Sequence, residues 1–389
     1  MRLKILDGFR GYFLLFMMIA HVAGTLNAPI GALSHHSIGW VEDAQGFVFL
    51  SGLVVGLVYG KRLLGKGAGT MAGGIWRRVG TLYRYQALLI LGFLAATLLS
   101  AALTGMVPGA LRSYADEPVV FTGLSLLLVG SSMHMGILPM YIFYLLATPL
   151  LLILFARGHA LTVGLVSVLL WLVAQTGTFN MLQFPLERML AAAGHETNIG
   201  IYFDVLAWQV LYVGGLYAGW LMASDRLDLT LLQRPEMKGA AGVAFAAFLA
   251  LAIFDVAVRG EWFGAGYMNV GEERSVLSPI YVIAFVIDLF LIAWLLVAGS
   301  ESGNRFVAIA AGGLAWLMTR PALMLLGRHS LEVFVAHIVT TYAVAIWSEG
   351  RDITPALANT LTLVSLLPLF AVAWLKESGA RRARALARA

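Results

Sequence analysis

The sequence contains no cysteine in 389 residues. This absence excludes disulfide bonds, thiolate metal sites, c-type haem attachment and cysteine nucleophiles, so covalent chemistry must use another side chain. Charged residues are also scarce, at 12%, whereas 60% of the residues are hydrophobic. Such a composition does not fit a soluble globular domain. We therefore predict an all-α fold, a polytopic bundle of transmembrane helices.

Ten segments are apolar over roughly the twenty residues that a helix needs to cross a bilayer. Two further apolar segments, 119–132 and 306–319, are short or rich in Gly and Ala, and we interpret them as re-entrant or interfacial helices. Residues 1–375 are thus the predicted membrane domain, and residues 376–389 a basic cytoplasmic tail. The ten predicted spans are 8–26, 44–60, 81–105, 136–156, 160–177, 201–222, 239–257, 278–298, 329–347 and 354–375.

The distribution of basic residues predicts the orientation. With a cytoplasmic N-terminus, 19 of the 26 Lys and Arg residues fall in inner segments and five in outer loops. Because basic residues gather on the cytoplasmic side of membrane proteins, both termini are predicted to lie inside. The same rule accounts for the net charge of +5, so no nucleic-acid partner is predicted.

The first span carries polar residues that are costly in lipid. It reads "LDGFRGYFLLFMMIAH" over residues 6–21, with Arg10 and His21 eleven positions apart. At 100° per residue they return to within about 20° of one face, roughly 16 Å apart along the axis. Alternatively, Arg10 snorkels to the headgroups beside Asp7 and His21 is a packed polar group. Since charged groups in spans usually face a bundle interior, we predict that this face lines a cavity.

Further motifs follow in a fixed order. They are "FVFLSGLVVGLVYG" in the second span, "WRRVGTLYR" before the third, "ILPMYIFYLLATPLL" in the fourth and "LLGRHSLEVFVAHI" near the C-terminus. With the Arg/His spacing of the first helix, this order resembles the membrane acyltransferase-3 superfamily. The likeness is greatest to the OpgC group, the succinyltransferases of osmoregulated periplasmic glucans. That group has an acidic residue before "ILP", where this sequence has Gly136.

The resemblance implies a multi-pass enzyme of the bacterial inner membrane. It would be an acyl-CoA-dependent O-acyltransferase that moves succinyl from cytosolic succinyl-CoA to hydroxyls of a periplasmic β-glucan. Succinyl-CoA would be the donor substrate, and no tightly bound cofactor is expected. Membrane lipids would surround the bundle.

The resemblance also suggests catalytic residues. His21 would lie near the thioester and act as general base on the sugar hydroxyl, or it would attack first and form an acyl-histidine. Arg10 belongs to the same catalytic set. His337 is a further candidate, and it shares a helix face with Ser330, seven positions earlier.

Four arginines are the candidates for the CoA phosphates, because guanidinium groups make bidentate, permanently charged contacts to phosphate. They are Arg10, Arg77, Arg78 and Arg84. Positive-inside topology is the alternative explanation for the pair at 77 and 78.

The outer side supplies candidate glucan contacts. Aromatic rings could stack on glucose and carboxylates could accept from its hydroxyls, with loop 258–277 the best placed. No metal site is predicted, since the adjacent His35 and His36 are read as a solvated pair. The candidates are Trp40, Glu42, Asp43 and Trp262.

Two alternative functions stay open at this point. One is transfer of acetyl or another acyl group to a different envelope glycan. The other is transport of a polysaccharide or lipid-linked sugar with His21 as proton relay. The broken helices of the two halves do not pair up as in repeat-built carriers, which disfavours transport without excluding it.

Overall fold

The computed structural model describes residues 4–35, 39–130, 132, 134–195, 203–262 and 272–386. Over these residues the regular structure is entirely helical, as predicted. The fifteen α-helices are α1 (Lys4–Leu26), α2 (Asp43–Thr104), α3 (Arg112–Asp116), α4 (Pro118–Leu126), α5 (Ile137–Ala156), α6 (Ala160–Ala174), α7 (Thr178–Ala192), α8 (Val205–Ala223), α9 (Pro235–Arg259), α10 (Pro279–Ala298), α11 (Arg305–Met318), α12 (Pro321–Arg328), α13 (Ser330–Ser348), α14 (Pro355–Val364) and α15 (Leu367–Leu386).

Eight helical segments of the described residues are long and apolar enough to cross a membrane, or nine if α11 and α12 form one broken span. The fold class is therefore confirmed, and the chain is a multi-pass membrane protein. The count is lower than ten for two reasons. The predicted spans 44–60 and 81–105 both lie in the 62-residue α2, which is counted once although a bend at Gly67 separates the two spans. The predicted span 160–177 contains only the 15-residue α6. The orientation of the termini and the division at residue 375 stay predictions.

Each of the two short apolar segments overlaps a helix. Residues 119–126 belong to the nine-residue α4, and residues 306–318 belong to α11, which bends by 52° into α12. A bend of this size fits either a broken span or a re-entrant loop, so their interpretation stays a prediction.

Helix α2 is a hairpin rather than a rod. Gly67 has φ 78° and ψ 171°, a conformation that only glycine adopts readily. The Tyr59 hydroxyl donates to the carbonyl oxygen of Gly74 at 3.2 Å, although these residues would be about 22 Å apart along a straight helix. Residues 43–66 therefore form a first arm that packs against a second arm, residues 68–104.

Glycines allow the closest helix contacts, and these contacts position the site. A Cβ at Gly11 of α1 would overlap the carbonyl group of Leu323 on α12, and a Cβ at Gly327 would overlap that of Asp7. On the other side, Gly52 and Gly56 of the first arm lie against the backbone of α8 in the same way. Small residues at such crossings let helix backbones approach closely in membranes. As a result α1 is held against the corner where α12 meets α13.

Candidate active site

Three histidines meet at one place in the bundle. Nδ1 of His21, on α1, lies 2.7 Å from Nε2 of His337, on α13. The ring of His134 lies over that of His21, with centroids 3.8 Å apart and planes at 31°. His337 is fully buried, whereas His21 and His134 are partly buried. A short nitrogen–nitrogen contact of this kind requires one ring to donate and the other to accept.

Each histidine comes from a different segment. His21 lies near the end of α1, one turn from Met18, whose sulfur contacts the Thr341 hydroxyl on α13 at 3.8 Å. His134 precedes α5 and has φ 68°. This left-handed conformation is uncommon for a residue with a side chain and often marks a functional segment. The surrounding structure therefore fixes a locally unfavourable backbone that brings the His134 ring over His21.

The second polar cluster surrounds Arg10. Its Nη2 donates to the Ser330 hydroxyl at 2.7 Å, and its guanidinium lies 5.9 Å from the ring centre of Phe47. Arg10, Ser330, Arg78 and Tyr141 line a narrow cavity of about 30 Å³, room for about two water molecules. Its lining includes two arginines and, among the described residues, no acidic side chain. Such a cavity is suited to an anion.

The structure groups the predicted polar residues into two pairs. Two contacts join α1 to α13, one between Arg10 and Ser330 and the other between His21 and His337. The two helix faces predicted from residue spacing therefore meet. Arg78 joins the arginine cavity. Arg77 and Arg84 are exposed, and the Arg84 Nε donates to the Gly80 carbonyl oxygen of its own helix. These two arginines do not line the cavity.

Two of the four predicted glucan contacts lie inside the protein. Trp40 is only 5% exposed, packs against Phe254 and donates its indole N–H to the Leu251 carbonyl oxygen at 3.1 Å. Asp43 is 1% exposed, with a carboxylate oxygen 3.4 Å from Nε2 of His35. A sugar could reach these two side chains only if the residues covering them moved.

The other two candidates are more accessible. Glu42 pairs with Arg274 at 2.6 Å, and its carboxylate raises the pKa of Arg274. Trp262 is 69% exposed, so its ring could meet a glucan directly. Most of the remaining loop, residues 263–271, lies outside the described residues, as does His36. Within the described residues no group of three His, Cys, Asp or Glu is arranged to hold a metal ion.

His134 was not among the residues predicted from the sequence. It stands in "SSMHMG", between helices, where no helical periodicity assigns it to a face. Only the backbone conformation and the packing of α5 place it beside His21. Because His134 is far from His21 and His337 in the sequence, no local pattern indicates that the three histidines are close in the fold.

The fold and the site define a multi-pass helical membrane protein with a histidine cluster inside the bundle and a small cavity lined by two arginines. The family model described as OpgC protein matches residues 2–381, so the chain belongs to the OpgC family. Comparison with curated proteins and with solved structures gave no match. Membership makes the chain an OpgC-type glucan acyltransferase, a transferase that lies within the membrane.

Proposed function

We propose that this protein transfers succinyl groups from cytosolic succinyl-CoA to hydroxyl groups of a periplasmic glucan at the bacterial inner membrane. The observation that carries the proposal is the His21–His337 contact of 2.7 Å on the same two helices as the Arg10–Ser330 contact. The histidine contact would serve proton transfer, and the arginine would bind an anion. The donor carries phosphates at one end and a reactive thioester at the other, so it needs both.

The histidine pair supports His21 as the general base. With a proton on Nδ1, His21 donates to Nε2 of the buried His337, and Nε2 of His21 is then the ring nitrogen that can accept a proton. His337 is a positioning residue in this scheme, since it fixes the tautomer and stabilises the imidazolium that forms.

The transfer step follows from this arrangement. A glucan hydroxyl gives its proton to His21 Nε2 while its oxygen attacks the thioester carbonyl carbon. The tetrahedral intermediate collapses, the carbon–sulfur bond breaks, and the sulfur leaves with the proton held by His21. General base catalysis of this kind contributes typically 10²–10⁴-fold. Direct transfer uses one base, so we favour it over an acyl-histidine intermediate.

Arg10 and Arg78 are proposed to hold phosphate groups of CoA. Both line the same cavity, and Arg10 is already oriented by Ser330. The rise of about 16 Å from Arg10 to His21 along α1 is comparable to the length of a pantetheine arm. The nucleotide could therefore stay on the cytoplasmic side while the thioester reaches His21. Trp262 would contact the glucan.

The test is an acyl-transfer assay with purified protein. Succinyl-CoA and an unsubstituted periplasmic β-glucan are supplied, and released CoA is followed with a thiol reagent, since the chain contains no cysteine that would react. We expect glucan-dependent CoA release that His21→Ala abolishes. His159→Ala, a change at an exposed histidine before α6, is the matched control and should keep the full rate.

Three other outcomes would contradict parts of the proposal. Glucan-dependent release of CoA from acetyl-CoA but not from succinyl-CoA would show that the transferred group is acetyl rather than succinyl. Full activity of His21→Ala would remove His21 as base. No release from any acyl-CoA by a folded sample would contradict acyl transfer and favour transport.

A further inference from the structure

Two large apolar cavities lie beside α10, and neither is lined by Arg10 or by the cluster of His21, His134 and His337. One, between α9, α10 and α11, has a volume of about 730 Å³. The other, between α1, the first arm of α2, α10 and α11, has a volume of about 530 Å³. Both are lined by Phe248, Asp288 and Ile292, so they adjoin midway along α10. The transfer reaction proposed above uses neither cavity.

The larger cavity has a polar mouth. Lys238 lies in the first turn of α9, and Ser302 and Asn304 directly precede α11. The Oδ1 atom of Asn304 accepts from the backbone N–H of Phe306 at 2.9 Å, so its side-chain amide N–H groups remain to donate outwards. Lys238 is the only cationic side chain in the described lining. The mouth therefore favours an anionic group.

Trp294 is the lining residue whose polar group, the indole N–H, needs an explanation. Its ring lines the cavity and the residue is 7% exposed, yet its indole N–H has no hydrogen-bond partner among the described residues. A buried donor without an acceptor is costly. Trp294 lies four residues before the end of α10 at Ala298, about 6 Å along the axis. An acceptor is therefore expected just inside the mouth.

The length of the larger cavity matches one lipid leaflet. Asp288 stands ten residues before the end of α10, about 15 Å along the axis. This is half of a bilayer core of about 30 Å. The cavity thus extends from the mouth beside Lys238 to the middle of the span, and its walls between these points include Phe245, Leu291 and Leu295.

We propose that the larger cavity binds one anionic glycerophospholipid from the leaflet on the Lys238 side. The phosphate lies against Lys238 and the Asn304 amide. An ester carbonyl, which follows the phosphate towards the chains, accepts the indole N–H of Trp294. One acyl chain fills the cavity as far as Asp288.

The test is native mass spectrometry of the purified protein, with equimolar phosphatidylglycerol and phosphatidylcholine of equal chain length. We expect one bound phosphatidylglycerol in several-fold excess over phosphatidylcholine. Lys238→Glu should lower its occupancy about tenfold, since it replaces attraction to the anionic headgroup by repulsion, and Lys238→Gln should have an intermediate effect. Trp294→Phe keeps a ring but loses the donor, and it should weaken binding roughly threefold to tenfold. Arg157→Glu, at the C-terminus of α5, is the charge-matched control and should change nothing.

Several results would overturn the proposal. Equal binding of the two lipids, unchanged by Lys238→Glu, would show that the protein carries only nonspecific lipid around its surface. If Lys238→Glu lowered lipid binding and Trp294→Phe did not, Lys238 would attract a headgroup at the surface while no acyl chain occupied the cavity. If the protein were a dimer with no bound lipid, the cavity would be a contact surface between two copies of this chain. Circular dichroism of each variant separates lost binding from lost folding.

Discussion

The contact between His21 and His337 makes a sharp prediction for two substitutions at residue 337. His337→Leu fills much of the same buried volume but offers no acceptor. His337→Gln places an amide oxygen within reach of the His21 Nδ1–H, so it can keep the tautomer that the transfer step needs. If His337 orients His21, Leu should lower kcat strongly and Gln should recover most of the loss.

The magnitude follows from the hydrogen bond that is lost. The 2.7 Å contact becomes charge-assisted once His21 takes up the hydroxyl proton. Hydrogen bonds to charged groups contribute about 1.5–3 kcal/mol, and about 1.36 kcal/mol corresponds to tenfold in rate. We therefore expect His337→Leu to reduce kcat by roughly tenfold to 150-fold. The KM for succinyl-CoA should stay near its original value, because His337 does not line the Arg10 cavity.

The assay is the initial rate of CoA release over a range of succinyl-CoA concentrations at saturating glucan, beside the melting temperature of each variant. Equal losses for Leu and Gln, accompanied by equal drops in melting temperature, would show that His337 only fills space. An unchanged kcat for Leu would show that His21 is oriented by another group. Either result would refute the scheme in which His337 positions the base.

Two further predictions concern the grip on the donor and the packing of α1. Arg78→Gln should raise the KM for succinyl-CoA about tenfold or more, by loss of a charge-assisted bond to phosphate, whereas the exposed Arg77→Gln should leave it unchanged. An unchanged KM in both variants would assign both arginines to topology, and an equal rise in both would mean that Arg77 also contacts the donor. Gly11→Ala should lower the melting temperature, since overpacking costs typically about 1–3 kcal/mol and the new methyl would overlap the Leu323 carbonyl. Gly239→Ala, which meets only open space, should not lower it, and a similar drop for both would contradict the close α1–α12 contact.

The sequence predicts the helical membrane fold and the faces of single helices well, because both depend on local pattern. Composition alone indicates a multi-pass bundle. Spacing alone places Arg10 with His21 on one face of α1, and Ser330 with His337 on one face of α13. These intervals are properties of an isolated helix, so they carry over directly into the folded protein.

Contacts between segments are harder to predict, since they depend on packing across the bundle. The approach of α1 to α12 rests on glycines more than 300 residues apart, Gly11 and Gly327. His134 needs a left-handed backbone in a connection without periodicity. Trp40 and Asp43 were expected in an outer loop exposed to glucan, whereas the chain there folds inwards and buries both. Hydropathy measures which segments prefer lipid, but it carries no information about how a loop packs.

The two polar contacts between α1 and α13 have a mechanical consequence for the proposed reaction. They are separated by eleven residues on α1 and by seven on α13, about 16 Å and 10 Å of helical rise. The long arginine side chain can take up the difference of about 6 Å between these two intervals. Arg10 can therefore leave Ser330 for an anion while the His21–His337 contact stays in place. Donor binding and alignment of the base are then separate properties, which is why substitution of His337 is expected to change kcat and not the KM for succinyl-CoA.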